Sequence, residues 1–257
     1  MAVELYNDGK HIVHAFYDLV DDTASDVVQS NQFLVVDHGH GALIDPGGNM
    51  TYTGLLMDMQ KYFSSKDLDY ILASHADPDI IASLNKWFIA SNCKVMISSL
   101  WARFLPHFTS GRDISERILS IPDQGARIRL GQSQIIALPA HFMHAEGNFQ
   151  FYDPVAKILF SGDLGTSLVP HEVAAEPVTN FAAHVPYMQA FHRRYIVSRK
   201  VCRFWANMVR QLDIDMIVPQ HGARFVGKQA INDFIEWVEG IECGVDLMTQ
   251  AGYQVPK

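Results

Sequence analysis

Four apolar runs of strand type each end in residues able to ligate a cation, and this recurrence constrains the fold more than any other feature of the chain. Tyr70-Ile71-Leu72 leads into Ser74-His75-Ala76-Asp77-Pro78-Asp79, and Gln134-Ile135-Ile136-Ala137-Leu138 leads into Pro139-Ala140-His141-Phe142-Met143-His144. Lys157-Ile158-Leu159-Phe160-Ser161 leads into Gly162-Asp163-Leu164-Gly165, and Asp215-Met216-Ile217-Val218-Pro219 into Gln220-His221-Gly222. β-Branched and aromatic runs bounded by turn formers read as strands. A loop at a strand's end is where side chains can converge on an ion without breaking the sheet. In the first junction Pro78 fixes its own φ and pushes Asp77 out of the helical region, so the turn between the carboxylates is held extended. His75, Asp77 and Asp79 are therefore a metal-site candidate. The same stretch also reads as a polar turn in which Asp79 caps the next helix. Asp163, between glycines, can approach an ion closely from a tight backbone; the plainer alternative is an aspartate in a turn.

The rest of the chain alternates helix and strand, which indicates an α/β layer structure. Gln32–Asp37 and Ala42–Asp45 form a hairpin turning at His38-Gly39-His40-Gly41. His38 and His40 resemble a ligand pair, although a Gly-spaced tip is more simply a solvated turn. Helical spacing runs over Tyr52–Phe63 and Ile80–Ile89, and Lys94–Ser98 is a strand. Leu100–Asp123, punctuated by Pro106, Gly111 and Pro122, reads as a helix-and-loop insertion over one end of the sheet. Residues 166–192, with Pro170, Pro177 and Pro186 and the unassigned His171, His184 and His192, read as a long loop covering a site. Arg193–Leu212 and Gln229–Gln250 read as amphipathic helices. Arg194, Arg199, Arg203 and Arg210 on the first form a solvated face, or the best place to dock an acidic partner. No linker or repeat divides residues 1–257, so a single domain is expected.

A net charge of −8 argues against nucleic acid or an anionic membrane surface as the main partner. No stretch approaches the ~20 apolar residues of a spanning helix. The first residues lack the basic and apolar segments of a signal peptide. Cys93, Cys202 and Cys243, widely spaced and without a Cys-x-x-Cys pair, point to a reducing compartment and to no rubredoxin-type iron site. All three read as core residues, and the expected location is cytoplasmic.

Taken together, His75/Asp77/Asp79, His144, Asp163 and His221 resemble the motif series of the metallo-β-lactamase superfamily, an αββα sandwich with a two-metal site at the strand ends. The resemblance is greatest to the diiron domain of the flavodiiron proteins. Asp77 stands where the superfamily's hydrolases have a second histidine. The His144–Asp163 interval contains Phe149 and Tyr152 as in that family, and Asp213-Ile214-Asp215-Met216-Ile217-Val218-Pro219-Gln220-His221-Gly222 is similar to its last ligand loop. The resemblance implies that His75, Asp77 and His144 hold one metal, that Asp79 and His221 hold the second, and that Asp163 bridges them. A shared carboxylate suits two divalent cations ~3.5–4 Å apart. Three carboxylates with three imidazoles form a harder set than the His-rich zinc pattern, favouring iron or manganese.

Two departures qualify this. The family often has glutamate at the position of Asp77, so the shorter aspartate needs a closer backbone. Where the superfamily's hydrolases place a histidine after the last aspartate, this chain has Ile80, which counts against hydrolysis. His141 is a spare imidazole, either a ligand or a residue orienting one. The flavodiiron enzymes' flavodoxin-like domain, an FMN site and a glycine-rich phosphate loop are not expected within this chain. A diiron site without built-in electron supply resembles the stand-alone oxygen-binding diiron proteins of bacterial chemotaxis. The expectation is therefore an O2-binding protein with two Fe ions, holding O2 at the peroxide level, in oxygen or iron sensing, with Mn or Zn as mis-loaded metals. An O2 or NO reductase supplied by an external flavin or rubredoxin donor is the first alternative, and a dizinc thioester or ester hydrolase the second. The resemblance also implies a homodimer and a signalling or electron-donor partner.

Overall fold

The computed structural model describes residues 1–20, 29–109 and 113–256. Two sheets are stacked with helices on both outer faces. The first sheet has seven strands in sequence order, β1 (Ala2–Asn7), β2 (His11–Phe16), β3 (Gln32–Asp37), β4 (His40–Ile44), β5 (Leu68–Leu72), β6 (Lys94–Ser98) and β7 (Ile118–Ile121). The second runs β13-β12-β11-β10-β9-β8, built from β8 (Ala126–Leu130), β9 (Ser133–Pro139), β10 (Phe149–Asp153), β11 (Ile158–Phe160), β12 (Met216–Val218) and β13 (Phe225–Val226). This is the expected αββα sandwich.

Side-chain alternation along the strands builds three apolar layers. Phe33 and Val35 of β3 and Ile44 of β4 point between the sheets, where they meet Phe149, Phe151, Ile158 and Phe160. Leu34 and Leu43 point the other way, onto α1 (Tyr52–Met59), α2 (Pro78–Ile81) and α3 (Leu84–Ala90). Leu159 and Tyr152 point outward from the second sheet, onto a layer that includes α6 (Phe181–Tyr195), α7 (Arg199–Val209) and α8 (Lys228–Gly240). Short helices α4 (Ser99–Ala102) and α5 (His171–Ala174) complete the set. Full burial of each aromatic in the central layer contributes about 1.5–3 kcal/mol.

Several expectations are corrected. Residues 166–192 are not a long loop: they carry α5 and most of α6. Pro186 lies inside α6, at its sixth residue, where its missing N–H removes one helical hydrogen bond while Asn180 caps the helix by accepting from Ala183 N. The Arg193–Leu212 helix is two, because Ile196 is extended and α7 begins afresh at Arg199. Phe204 of α7 is exposed despite being aromatic. The Ile80–Ile89 run divides into α2 and α3 at Ser83, whose hydroxyl donates to Gly47 O at 2.6 Å. The last helix stops at Gly240 rather than Gln250. The 100–123 insertion adds an edge strand, β7; its Gly111, like the His171 side chain, lies outside the described residues. At the first hairpin, Asp37 pairs with His40, so the turn is His38-Gly39 alone, both at positive φ. Among the described residues no helix is long and apolar enough to cross a membrane.

Candidate metal centre

Strand register explains why the candidate ligands meet. β11 and β12 are parallel with Phe160 opposite Val218, and Asp163 and His221 each follow three residues later. His75 follows the end of β5, Leu72, by the same interval. The facing sheets are stitched together here by Phe149 N, which donates to Ser74 O at 2.8 Å. His144 sits in the β9–β10 turn at φ 96°, a left-handed backbone that a non-glycine residue adopts only when its surroundings impose it. Asn148 braces that turn by donating to Met143 O at 2.9 Å, and Val197 N donates to Phe142 O at 3.2 Å. Asp77 has φ −74° and ψ 154°, the extended geometry expected ahead of Pro78. It opens α2 without a side-chain capping bond, so its carboxylate is left for the site, and Asp79 does not serve as the cap.

All six expected side chains converge. His144 Nε2 donates to Asp77 Oδ2 at 2.9 Å, and His75 Nε2 lies 3.6 Å from the same oxygen. His221 Nε2 lies 3.3 Å from Asp79 Oδ2. Asp163 sits between the two groups: Oδ2 is 3.6 Å from His144 Nε2, and Oδ1 is 3.6 Å from His221 Nε2 and 3.9 Å from His75 Nε2. His75, Asp163 and His221 are buried, whereas the side chains of Asp77 and Asp79 are more than two-fifths exposed. The centre is therefore open on the carboxylate side.

The electrostatics are those of a site built around positive charge. Burial alone would lower His75, but Asp163 and Asp77 outweigh it and raise the imidazole to about 9. Burial likewise opposes protonation of His221, and the Asp79 bond and the Asp163 charge raise it to about 9. His144 and His75 hold the Asp77 carboxyl well below the usual carboxylate range, and His221 lowers Asp79 against its burial. Protons here occupy the role of cations, so cation uptake displaces them. His75 Nε2 and Asp163 Oδ1 are buried without a hydrogen-bond partner. Such orphaned atoms are costly unless something else satisfies them, and the donor set around them suits cations: His75, Asp77 and His144 each offer a ligand atom, all within 4.8 Å of one another.

The supporting shell was not legible beforehand. Ser74 Oγ lies 2.9 Å from His75 Nδ1, and Gln29 O lies 2.7 Å from His221 Nδ1, so each ring presents Nε2 to the centre. Asp45, buried and raised by that burial to about 6, accepts from Ser74 N at 2.8 Å. Gly165 N donates to His192 Nε2 at 2.9 Å while His192 Nδ1 donates to Met188 O at 2.8 Å. Both bonds require the neutral Nδ1–H tautomer, consistent with burial pushing this imidazole down to about 4. His192 thereby clamps the loop that carries Asp163. Other histidines singled out in the sequence stand elsewhere: His141 Nε2 donates to Asp123 O, His38 pairs with Asp37, His40 with Asp69, and His184 is buried on α6 against Phe225. Phe191 and Tyr195, 4.7 Å apart and stacked, flank the His144 ring.

Residues 28–222 match a protein family described as ODP family beta lactamase. Among solved structures, the chain is similar to the apo state of chemotaxis sensor ODP from T. denticola, at 37% identity and a TM-score of 0.83 over 96% of this chain and 97% of that one. A structure described as the peroxy diiron species of chemotaxis sensor ODP matches at 36% identity and a TM-score of 0.84, with the same coverage. Rubredoxin oxygen:oxidoreductase of Desulfovibrio gigas shares the fold at 17% identity and a TM-score of 0.77, over 93% of this chain and 62% of that one. An uncharacterized protein of Methanocaldococcus jannaschii is 24% identical over 80% of this chain and 51% of its own length, so the chain spans about half of that relative.

Proposed function

The chain belongs to the ODP family of beta lactamases, and from that premise we propose that it is a non-haem diiron protein that binds O2 and serves oxygen or iron sensing. The observation that carries this reading is the Asp163 carboxylate, with Oδ2 toward His144 and Oδ1 toward His221. In this reading His75, Asp77 and His144 would hold one iron and Asp79 and His221 the other, with Asp163 shared between them. When bound, two ferrous ions supply an O2-binding centre and two electrons. The protein's own residues do the rest. The three carboxylates offset the cations' mutual repulsion, and Ser74 and the Gln29 carbonyl hold the two imidazoles in register. Phe191 and Tyr195 pack their rings against His144 and limit its movement.

Ile80 supports binding over hydrolysis. It is fully buried in the core of the first sheet, beside Asp79, so that half of the centre takes its imidazole from His221. The harder donor set favours iron over zinc, with Mn or Zn as mis-loaded alternatives. No FMN site in this chain, a cytoplasmic setting, a homodimer and a downstream signalling protein belong to the same proposal. The three free thiols suit such a compartment, and light scattering at two chain masses is the expected result for the dimer.

Titration of metal-free protein with Fe(II) under anaerobic conditions tests the ligand set. Two irons per chain are expected for the wild type and for a His38→Ala/His40→Ala double variant. Asp163→Ala is expected to lose tight binding of both. Full iron retention in Asp163→Ala, with the fold intact by circular dichroism, would remove the bridging assignment.

A further inference from the structure

Cys202 and Cys243, far apart in sequence, meet in the core outside the second sheet. Their sulfurs are 3.9 Å apart, and both residues are fully buried. Cys202 lies on α7, and Cys243 opens the turn of residues 244–247 that follows α8. Each segment reaches a different part of the molecule. Gly244, Val245, Leu247 and Met248 line, together with His144 and Arg194, an open cleft of about 780 Å³. Gly244 is in the left-handed region at φ 51°, and a side chain there would collide with the carbonyls of Ile196 and Val197, so this turn is seated tightly on the α6–α7 link. Val245 N fixes it further by donating to Val197 O at 2.8 Å.

We propose that Cys202 and Cys243 are a dithiol/disulfide pair oxidised by hydrogen peroxide, a modification that joins α7 to the wall of the cleft beside His144. The chemistry balances with peroxide as the sole oxidant. Cys243 sulfur attacks one peroxide oxygen, the O–O bond breaks, and one water leaves with formation of a sulfenic acid. Cys202 sulfur then attacks Cys243 sulfur, the S–O bond breaks, and the departing hydroxide takes up the Cys202 proton as a second water. Two thiols are oxidised by two electrons, and one peroxide is reduced.

Position assigns the roles. Either sulfur can donate the S–H of their contact, so the thiol–thiol bond itself does not distinguish them. Cys243 lies less deep than Cys202 and directly precedes Gly244 of the cleft lining, so a water-sized oxidant has the shorter path to it and it attacks first. Cys93 provides an internal comparison: it is buried too, but its partners are the Ser91 hydroxyl at 3.0 Å and Arg117, and its thiol is raised by burial. The inference does not depend on the metal reading, since neither cysteine is among the proposed ligands.

The experiment treats the full chain, as purified, with stoichiometric hydrogen peroxide, alkylates it in denaturant, and maps the thiols by mass spectrometry before and after dithiothreitol. The expected result is loss of the mass of two hydrogen atoms, alkylation of Cys93 alone, and a Cys202–Cys243 linked peptide that dithiothreitol separates. In Cys202→Ala the expected product is a Cys243 sulfenic acid captured by dimedone. Recovery of all three thiols from the treated wild type would overturn the proposal. So would Cys243 sulfinic or sulfonic acid without the linked peptide.

Discussion

Ser74 shows how much of the proposed metal site lies outside its candidate ligands. Its hydroxyl fixes the His75 ring, its N–H is held by buried Asp45, and its carbonyl receives Phe149 N from the other sheet. Ser74→Ala removes only the hydroxyl, leaving the two main-chain bonds. Loss of such an orienting partner costs roughly 10–100-fold in metal affinity, and competition with a chromophoric chelator should show a weakening of that order with the fold unchanged. Gly222 is the residue where backbone decides. It lies at φ 83°, directly after His221, and any Cβ there would collide with Ser167. Gly222→Ala is expected to cost about 1–3 kcal/mol through the forced left-handed backbone, read as a lower urea midpoint, and to weaken iron binding by moving the His221 loop.

At the scale of elements, the two sheets are clamped at His11. This buried imidazole on β2 lies 2.9 Å from Asp37 on β3 and 2.6 Å from Asp153 on β10, across the central layer. Burial opposes its charge, yet the Asp153 and Asp37 carboxylates outweigh it and raise His11 above the ordinary 6.5. A raised folded value means the contribution is full below about 6.5 and fades as pH climbs through that raised value. Asp37 is lowered despite burial, by the bond from His11 and by Gln132 N, so its contribution is present above the ordinary carboxylate value and fades in acid. Stability should therefore fall on both flanks of neutrality, and His11→Asn should flatten the alkaline flank of the urea midpoint against pH. Asp153→Ala leaves a buried charge with one partner fewer and is expected to cost about 3–5 kcal/mol. This clamp escaped sequence reading because its members are distant in the chain and none sits in a motif. By contrast, His75, Asp77, Asp79, Asp163 and His221 were legible, since each closely follows an apolar run whose end is marked by Gly, Pro or Ser. α6 was not, because Pro186 carries the signal of a break while costing a long, capped helix one hydrogen bond. His192 was hidden for the same reason, and its role depends on Gly165, which only tertiary packing brings near.

For the whole molecule, the proposed centre is shared between two sheets, with His75, Asp77 and Asp79 supplied by the first and His144, Asp163 and His221 by the second. Such a centre exists only when the sheets are docked, so metal and fold are thermodynamically linked. Iron at 100 times its dissociation constant should raise the unfolding free energy by about 2.7 kcal/mol per site, measured as a higher urea midpoint that a chelator reverses. The central claim, that this centre binds O2 rather than turning it over, is tested most directly by loading the protein anaerobically with Fe(II), admitting O2, and following the visible spectrum and O2 consumption together. The account predicts two irons per chain, a long-lived visible absorption band, and O2 uptake that ends after one equivalent even with an NADH-linked flavin or rubredoxin donor present. Continuing O2 consumption with the donor would make the protein a reductase, and two tightly held zincs with no response to O2 would contradict the diiron reading itself.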